Sequence, residues 1–352
     1  MTMRLRQLAL GALLLGWLTP CAVLAQTGAY TLFWDDFATG FTVDTPGAKW
    51  NHFRYGSFVA DDGLVSGGVG WISVWPKGTN PRSGNPAFTK TVAPDPISGL
   101  PGALDHVKWL VYMNHTSSLG YPGFDAQWNH ELSCKMMLSG QTYGVNRHPF
   151  GTNVTVPTED VRLASFAMNT VDFESFMVFD FMFTNHRIYA IYERLPFGRA
   201  TMGDYAAFTY AVPVQAYTPW DHYNTKIAYD RTAGVVKWLI NGVEVFRVSN
   251  IGYRLADRQY MLIDHGGTEQ AVSMNQLNCG MGMFTLLDGA SPSGAGLVRL
   301  TNTPGFYFQP QVGTSQALWF ADETSQQSSR LWGQGAEFDV EEFIVKSVKL
   351  YQ

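Results

Sequence analysis

The chain has 352 residues, with 24 Lys or Arg against 29 Asp or Glu, a formal charge of −5 and 14% aromatic content. No basic run interrupts this mildly acidic balance, which argues against nucleic acid and anionic membrane surfaces as partners. Low charge with many aromatic side chains suits a sizeable β core, and no linker or change of composition divides the chain.

The N-terminus reads as a secretory leader. Arg4 and Arg6 form a positive start, 8–18 is an apolar run broken only by Gly and Ala, and Ala22-Val23-Leu24-Ala25 supplies the small residues a signal peptidase needs. Cleavage is expected after Ala25, leaving 26–352 as one secreted domain, extracellular or periplasmic. The apolar run is shorter than the roughly 20 residues a bilayer core requires, and no later segment comes closer. No integral membrane segment is therefore expected after cleavage. Pro20 stands where a lipoprotein anchor at Cys21 would want a small residue.

Beyond the leader, short runs of Val, Ile, Phe, Tyr and Trp alternate with Gly, Pro, Asn and Asp, the grammar of strands and turns. Segment 129–138 places His130, Leu132, Cys134, Met136 and Leu138 on one side, with Glu131, Ser133 and Lys135 on the other. Segment 173–184 places Phe173, Met177, Phe179, Phe181 and Phe183 on one face, and Glu174, Phe176, Val178, Asp180 and Met182 on the other. In 187–194 the odd positions are Arg187, Tyr189, Ile191 and Glu193. Segment 226–248 is a meander: strands at 227–230, 235–240 and 243–248, with Asn241-Gly242 as a type I′ hairpin. Long loops are expected at 76–101, 143–162 and 289–294. Cys134 and Cys279 are an even pair suited to one disulfide in an oxidising compartment. Two separate buried thiols are the alternative.

Phe33-Trp34-Asp35-Asp36-Phe37, Trp50, the stretch 59–66 and the closing stretch 338–352 resemble the first and last strands of the concanavalin A-like lectin and glucanase superfamily. The stretches Tyr192-Glu193-Arg194-Leu195-Pro196-Phe197-Gly198-Arg199 and Asp264-His265-Gly266-Gly267 are similar to an uncharacterised family of bacterial secreted proteins, a domain of unknown function. The resemblance implies an all-β jelly-roll sandwich of two antiparallel sheets with long loops. It leaves activity open, because that superfamily holds glycoside hydrolases, polysaccharide lyases, lectins and inert modules.

Several motifs carry candidate chemistry. Glu337-Phe338-Asp339-Val340-Glu341 resembles the three-carboxylate strand of laminarinase-type hydrolases, but it opens what reads as the last strand, so a solvated strand edge is the favoured reading. His130-Glu131-Leu132-Ser133 starts like a zinc-protease motif, yet Cys134 stands where the second His belongs. Glu131, Glu174 and Asp180 lie on the mixed faces of their segments, where two carboxyls sharing one surface would serve glycoside hydrolysis. Asp264 and His265 end an apolar strand, and Arg187 and Tyr189 offer the cation and base of a lyase.

The expectation is a secreted carbohydrate-active protein acting on a polysaccharide or oligosaccharide at a concave sheet face. Its catalytic residues are Glu131, Glu174 and Asp180, with Arg187, Tyr189, Glu193, Asp264 and His265 around the ligand, and no cofactor or metal. A glycoside hydrolase is the first reading. A non-catalytic carbohydrate-binding or cell-surface module, or a polysaccharide lyase, is the alternative.

Overall fold

A computed structural model describes residues 28–92, 102–291, 294–313 and 316–350. The leader expected at 1–25 lies outside the described residues. In chain order the principal strands are β1 (Tyr30–Asp35), β2 (Trp50–His52), β3 (Leu64–Gly68), β4 (Trp71–Trp75), β5 (Val107–Met113), β6 (Phe124–Asp125) and β7 (His130–Tyr143). There follow β8 (Ala164–Asp172), β9 (Met177–Phe183), β10 (Arg187–Arg194), β11 (Phe208–Ala216), β12 (Tyr223–Asp230), β13 (Val235–Ile240) and β14 (Val243–Val248). The last are β15 (Met261–Asp264), β16 (Gln276–Thr285), β17 (Ala295–Val298), β18 (Trp319–Asp322) and β19 (Gly335–Lys349).

Two antiparallel sheets form an all-β jelly-roll sandwich. The first runs β14-β13-β12-β7-β19-β4-β3, with β1 also on β19; the second runs β15-β11-β10-β9-β8-β16-β5-β2, with β6 also on β16. Period-two alternation sends one side of each strand into the space between the sheets. Phe179, Phe181 and Phe183 of β9, Leu132, Cys134 and Met136 of β7, and Trp238 of β13 meet there in one buried core. Phe166 stacks on both Phe183 and Phe338 across it. Cys134 and Cys279 are bridged, Cα to Cα 6.2 Å, and so join β7 of the first sheet to β16 of the second.

Three expectations need correction. The segment 173–184 does not start as strand: the Asp172 carboxylate accepts the N–H groups of Glu174 and Ser175, at 3.2 and 3.1 Å. This side-chain-capped turn puts Phe176 at φ 61° and delays β9 to Met177. Strand β19 is no edge. It lies inside the first sheet between β7 and β4, with Glu337 and Asp339 on its outer side bonded to Tyr143 and Ser73. Third, the sheets separate the acids that the sequence grouped together: β7, carrying Glu131, belongs to the first sheet, and β9, carrying Asp180, to the second.

Candidate functional site

The outer face of the second sheet, the side turned away from the core, holds the site. Its centre is covered: Ala167, Met182, Ile191 and Ala211 pack under Tyr307, Leu318 and Phe320 of the segment following β16. Ala290 N–H bonds to Leu262 O at 2.7 Å and Phe308 N–H to Asp264 O at 2.9 Å, fastening this cover to β15. A cavity of about 170 Å³ remains beside it. Asp180 of β9 and Glu193 of β10 both line it, with Asn169, Tyr112, His106 and the rings of Phe173, Phe176 and Phe197.

The register explains the pairing. Val178 is opposite Glu193 and Asp180 opposite Ile191, so the two acids share a face as diagonal neighbours. Diagonal positions on adjacent strands have backbones about 7 Å apart, so both carboxyls emerge on one patch of the face. Gly198 gives Phe176 its room: a Cβ there would sit 2.6 Å from the Phe176 ring.

Burial acts on both acids. Burial pushes the Asp180 carboxyl well above the usual range, outweighing the Thr170 N–H and the Asn169 amide that each donate to it at 2.8 Å; the nearby Glu193 charge adds to the rise. Asn169 Oδ1 has no hydrogen-bond partner, so a half-turn of that amide would pair it with the Asp180 proton. Burial pushes Glu193 up to about 7, against the hydroxyl of Thr209, which donates to it at 2.5 Å. Asp180 thus holds its proton to higher pH than an ordinary aspartate, and Glu193, at about 7, exchanges its proton near neutral pH.

Glu193 also borders a second, smaller chamber of about 30 Å³ together with His106, His265 and Asp288. Such a volume holds about one or two waters. His265 Nδ1 is 2.5 Å from Phe306 O, and His106 Nδ1 is bonded to Ala103 O, so each ring donates at Nδ1 and keeps Nε2 as an acceptor. Burial lowers the His265 pKa to about 4 and depresses that of His106, leaving both neutral. The Asp288 carboxyl, raised by burial, accepts the Tyr307 hydroxyl at 2.8 Å.

A pH signature follows. Glu193 keeps its proton in the folded state up to about 7, whereas an unfolded Glu loses it near 4.3. Between those values the folded chain binds more protons, so the contribution of Glu193 to stability falls as pH rises through the window and is flat above it. Glu193→Gln should therefore gain stability relative to wild type between about pH 4.3 and 7, measured as the difference in urea midpoints. A difference that does not change with pH would contradict the assignment.

The other predicted residues disperse. Glu131 sits on the outer face of the first sheet, across the sandwich from Asp180, bonded to Lys226 at 2.8 Å and Lys237 at 3.1 Å. Against the cost of burial, these lysines hold its carboxyl below the usual range. Glu131→Gln should leave any activity unchanged and cost within about 1 kcal/mol of stability; a large activity loss in that variant would restore Glu131 to the site. Glu174 sits on the β8–β9 turn, accepting from Asn275 and Gln276. Arg187 pairs with Glu159 at 2.9 Å, and the Tyr189 hydroxyl donates to Glu159 O at 2.6 Å. Tyr189 lines a different cavity of about 430 Å³, with Arg162, Glu159 and Tyr260. Asp264 is bound by Arg254 and Arg258; despite burial, the Gly266 N–H and these guanidiniums hold its carboxyl low. The site thus brings together Asp180, Glu193 and His265, while Glu131, Arg187, Tyr189 and Asp264 belong elsewhere.

No cluster of three or more His, Cys, Asp or Glu suited to a metal occurs among the described residues. No helix among them is long and apolar enough to cross a membrane.

A family of unknown function (DUF6081) matches residues 34–349. The chain belongs to it. A curated relative, the uncharacterised protein L829 of Acanthamoeba polyphaga mimivirus, is 30% identical over 255 residues, covering 57% of this chain and 56% of the relative. The chain thus spans about half the length of that relative. Among solved structures, an endo-1,3-β-glucanase from Streptomyces sioyaensis is 13% identical with a TM-score of 0.44, over 92% of this chain and 98% of that one. The alginate lyase A1-II′ is 10% identical with a TM-score of 0.35, over 79% and 80%.

Within this DUF6081 chain, sequence reading missed His106, Asn169 and Asp288. Asn169 carried a usable signal, since Asn is disfavoured inside a strand and here stands in the apolar run of β8. His106 and Asp288 lie outside regular strands, and no pattern marked them.

Proposed function

We propose that this protein is a secreted glycoside hydrolase working at the Asp180–Glu193 cavity. The observation that carries the reading is the pair itself: two carboxyls on adjacent strands, sharing one cavity, both raised by burial toward the range where a carboxyl can hold and exchange a proton. Asp180 gives its proton to the glycosidic oxygen as the bond from that oxygen to the anomeric carbon breaks. Glu193 takes a proton from a water drawn from the chamber beside it, and the water oxygen bonds to the anomeric carbon. One water is consumed, and each product leaves with a hydroxyl.

A lyase acting on uronates is less well supported, because it must neutralise the sugar carboxylate. The one arginine lining the cavity, Arg54, is 54% exposed at its mouth and pairs with Asp44. The bridge between Cys134 and Cys279 accords with an oxidising compartment. The test is release of new reducing ends from a panel of neutral oligosaccharides and synthetic glycosides. Turnover that rises with pH through about 7, as Glu193 ionises, supports the reading. Binding without turnover across the panel would convert it to a non-catalytic module.

A further inference from the structure

The walls of the cavity do not match its floor. Of its twenty lining residues seven are aromatic, Tyr55 and Tyr112 among them with their hydroxyls, eight are aliphatic, and the other five are Asp180, Glu193, Asn169, His106 and Arg54. Arg54 is committed to Asp44 at the mouth. The other four sit together at one end, where the strands bring the acids. Phe53, Phe173, Phe176 and Phe197 are only half-buried, and Tyr55, packed against Phe197 with centroids 5.4 Å apart, is 54% exposed. An apolar surface left open inside a concavity is a mark of ligand binding.

A sugar ring seated against the apolar walls, away from the polar end that carries Asp180, Glu193 and Asn169, would lose water from several hydroxyls and meet few groups to replace it. Each unpaired hydroxyl costs about 1–3 kcal/mol. An aromatic ring loses nothing of the kind and gains edge and face contacts with the surrounding rings.

We infer that this cavity binds an aromatic aglycone, and that the substrate class is aryl glycosides of neutral sugars. The inference rests on the hydrolase reading for its chemistry and on the cavity lining for its ligand. The ring fills the aromatic walls and sets its glycosidic oxygen against Asp180. When the bond breaks, the proton from Asp180 leaves with the aryl hydroxyl, and the chamber water supplies the hydroxyl of the released sugar.

Two probes separate the ring from the sugar: phenol, and myo-inositol as a polyhydroxylated ring of similar size. Titration followed by methyl NMR should show phenol binding at least 10-fold more tightly than myo-inositol. The shifts should centre on the methyl groups of Leu110, Val178 and Met182, which line the cavity. Val178→Phe fills the space and should abolish phenol binding; should that variant fail to fold, the shift map on the wild-type protein decides alone. Equal affinity for the two probes, or phenol shifts confined to the cavity beside Tyr189, overturns the inference. Phenol bound at Val178 with no turnover of phenyl glycosides keeps the aromatic binding site and defeats the hydrolase reading, and with it the aryl glycoside as substrate. Hydrolysis of oligosaccharides without phenol binding does the reverse.

Discussion

Glu193→Gln and Asp180→Asn should each lower kcat/KM on a cleaved glycoside by about 10³-fold, the scale of losing a positioned acid or base. Neither change alters the outline of the side chain, so folding and ligand affinity should persist. The two variants should differ in pH behaviour. Wild-type activity should rise through about 7, where Glu193 ionises, and that limb should disappear in Glu193→Gln. In Asp180→Asn the limb should survive close to its original pH, because burial, with the nearby Asp288 charge, is what raises Glu193 against its Thr209 hydrogen bond. Removing both should cost little more than removing one, since residues acting as a unit are not additive. Glycosides with poor leaving groups should suffer most in Asp180→Asn. Retention of full activity by either variant would remove that residue from the chemistry.

Replacing both cysteines, Cys134→Ala with Cys279→Ala, should cost about 5 kcal/mol, the chain-entropy value for a closed loop of this length. The two cysteines are separated by 145 residues and sit in different sheets. The unfolded chain therefore gains a great deal of freedom when the bridge is cut. Both positions are fully buried in the core, so exchanging each sulfur for a hydrogen adds a small packing loss of the same sign. Urea unfolding under non-reducing conditions measures the difference, and peptide mapping of the wild-type protein should find these two cysteines joined. A midpoint that does not shift would show that the bridge contributes nothing.

Much of the strand layout was legible because it is local. In the hairpin at Asn241-Gly242 both residues have positive φ, 51° and 82°, as a type I′ turn demands. The run Phe179, Phe181, Phe183 declared its core side through alternation alone. Alternation also placed Asp180 and Glu193 on the side facing away from that core. What alternation cannot say is which strand lies next to which. Strand β7 pairs with β12 and β19, the latter some 200 residues along, rather than with β9. Glu131 therefore has the polar environment expected of it on the wrong side of the sandwich, where two lysines claim it. The cover over the second sheet was equally hidden: Tyr307 and Phe320 come from loop-rich sequence with no period to read. That cover divides the outer face, and it is why Tyr189 and Glu193, four residues apart on one strand, line different cavities.

The central claim, hydrolysis between Asp180 and Glu193, is tested most directly by a crystal structure of the Asp180→Asn, Glu193→Gln double variant with an uncleaved phenyl glycoside. The predicted result places the phenyl ring among Phe173, Phe176 and Phe197, with the glycosidic oxygen about 3 Å from the residue 180 carboxamide. An ordered water should sit beside residue 193, in the chamber shared with His106 and His265. Ligand bound instead in the cavity lined by Tyr189 and Arg162, with the space around residues 180 and 193 unengaged, would contradict the account.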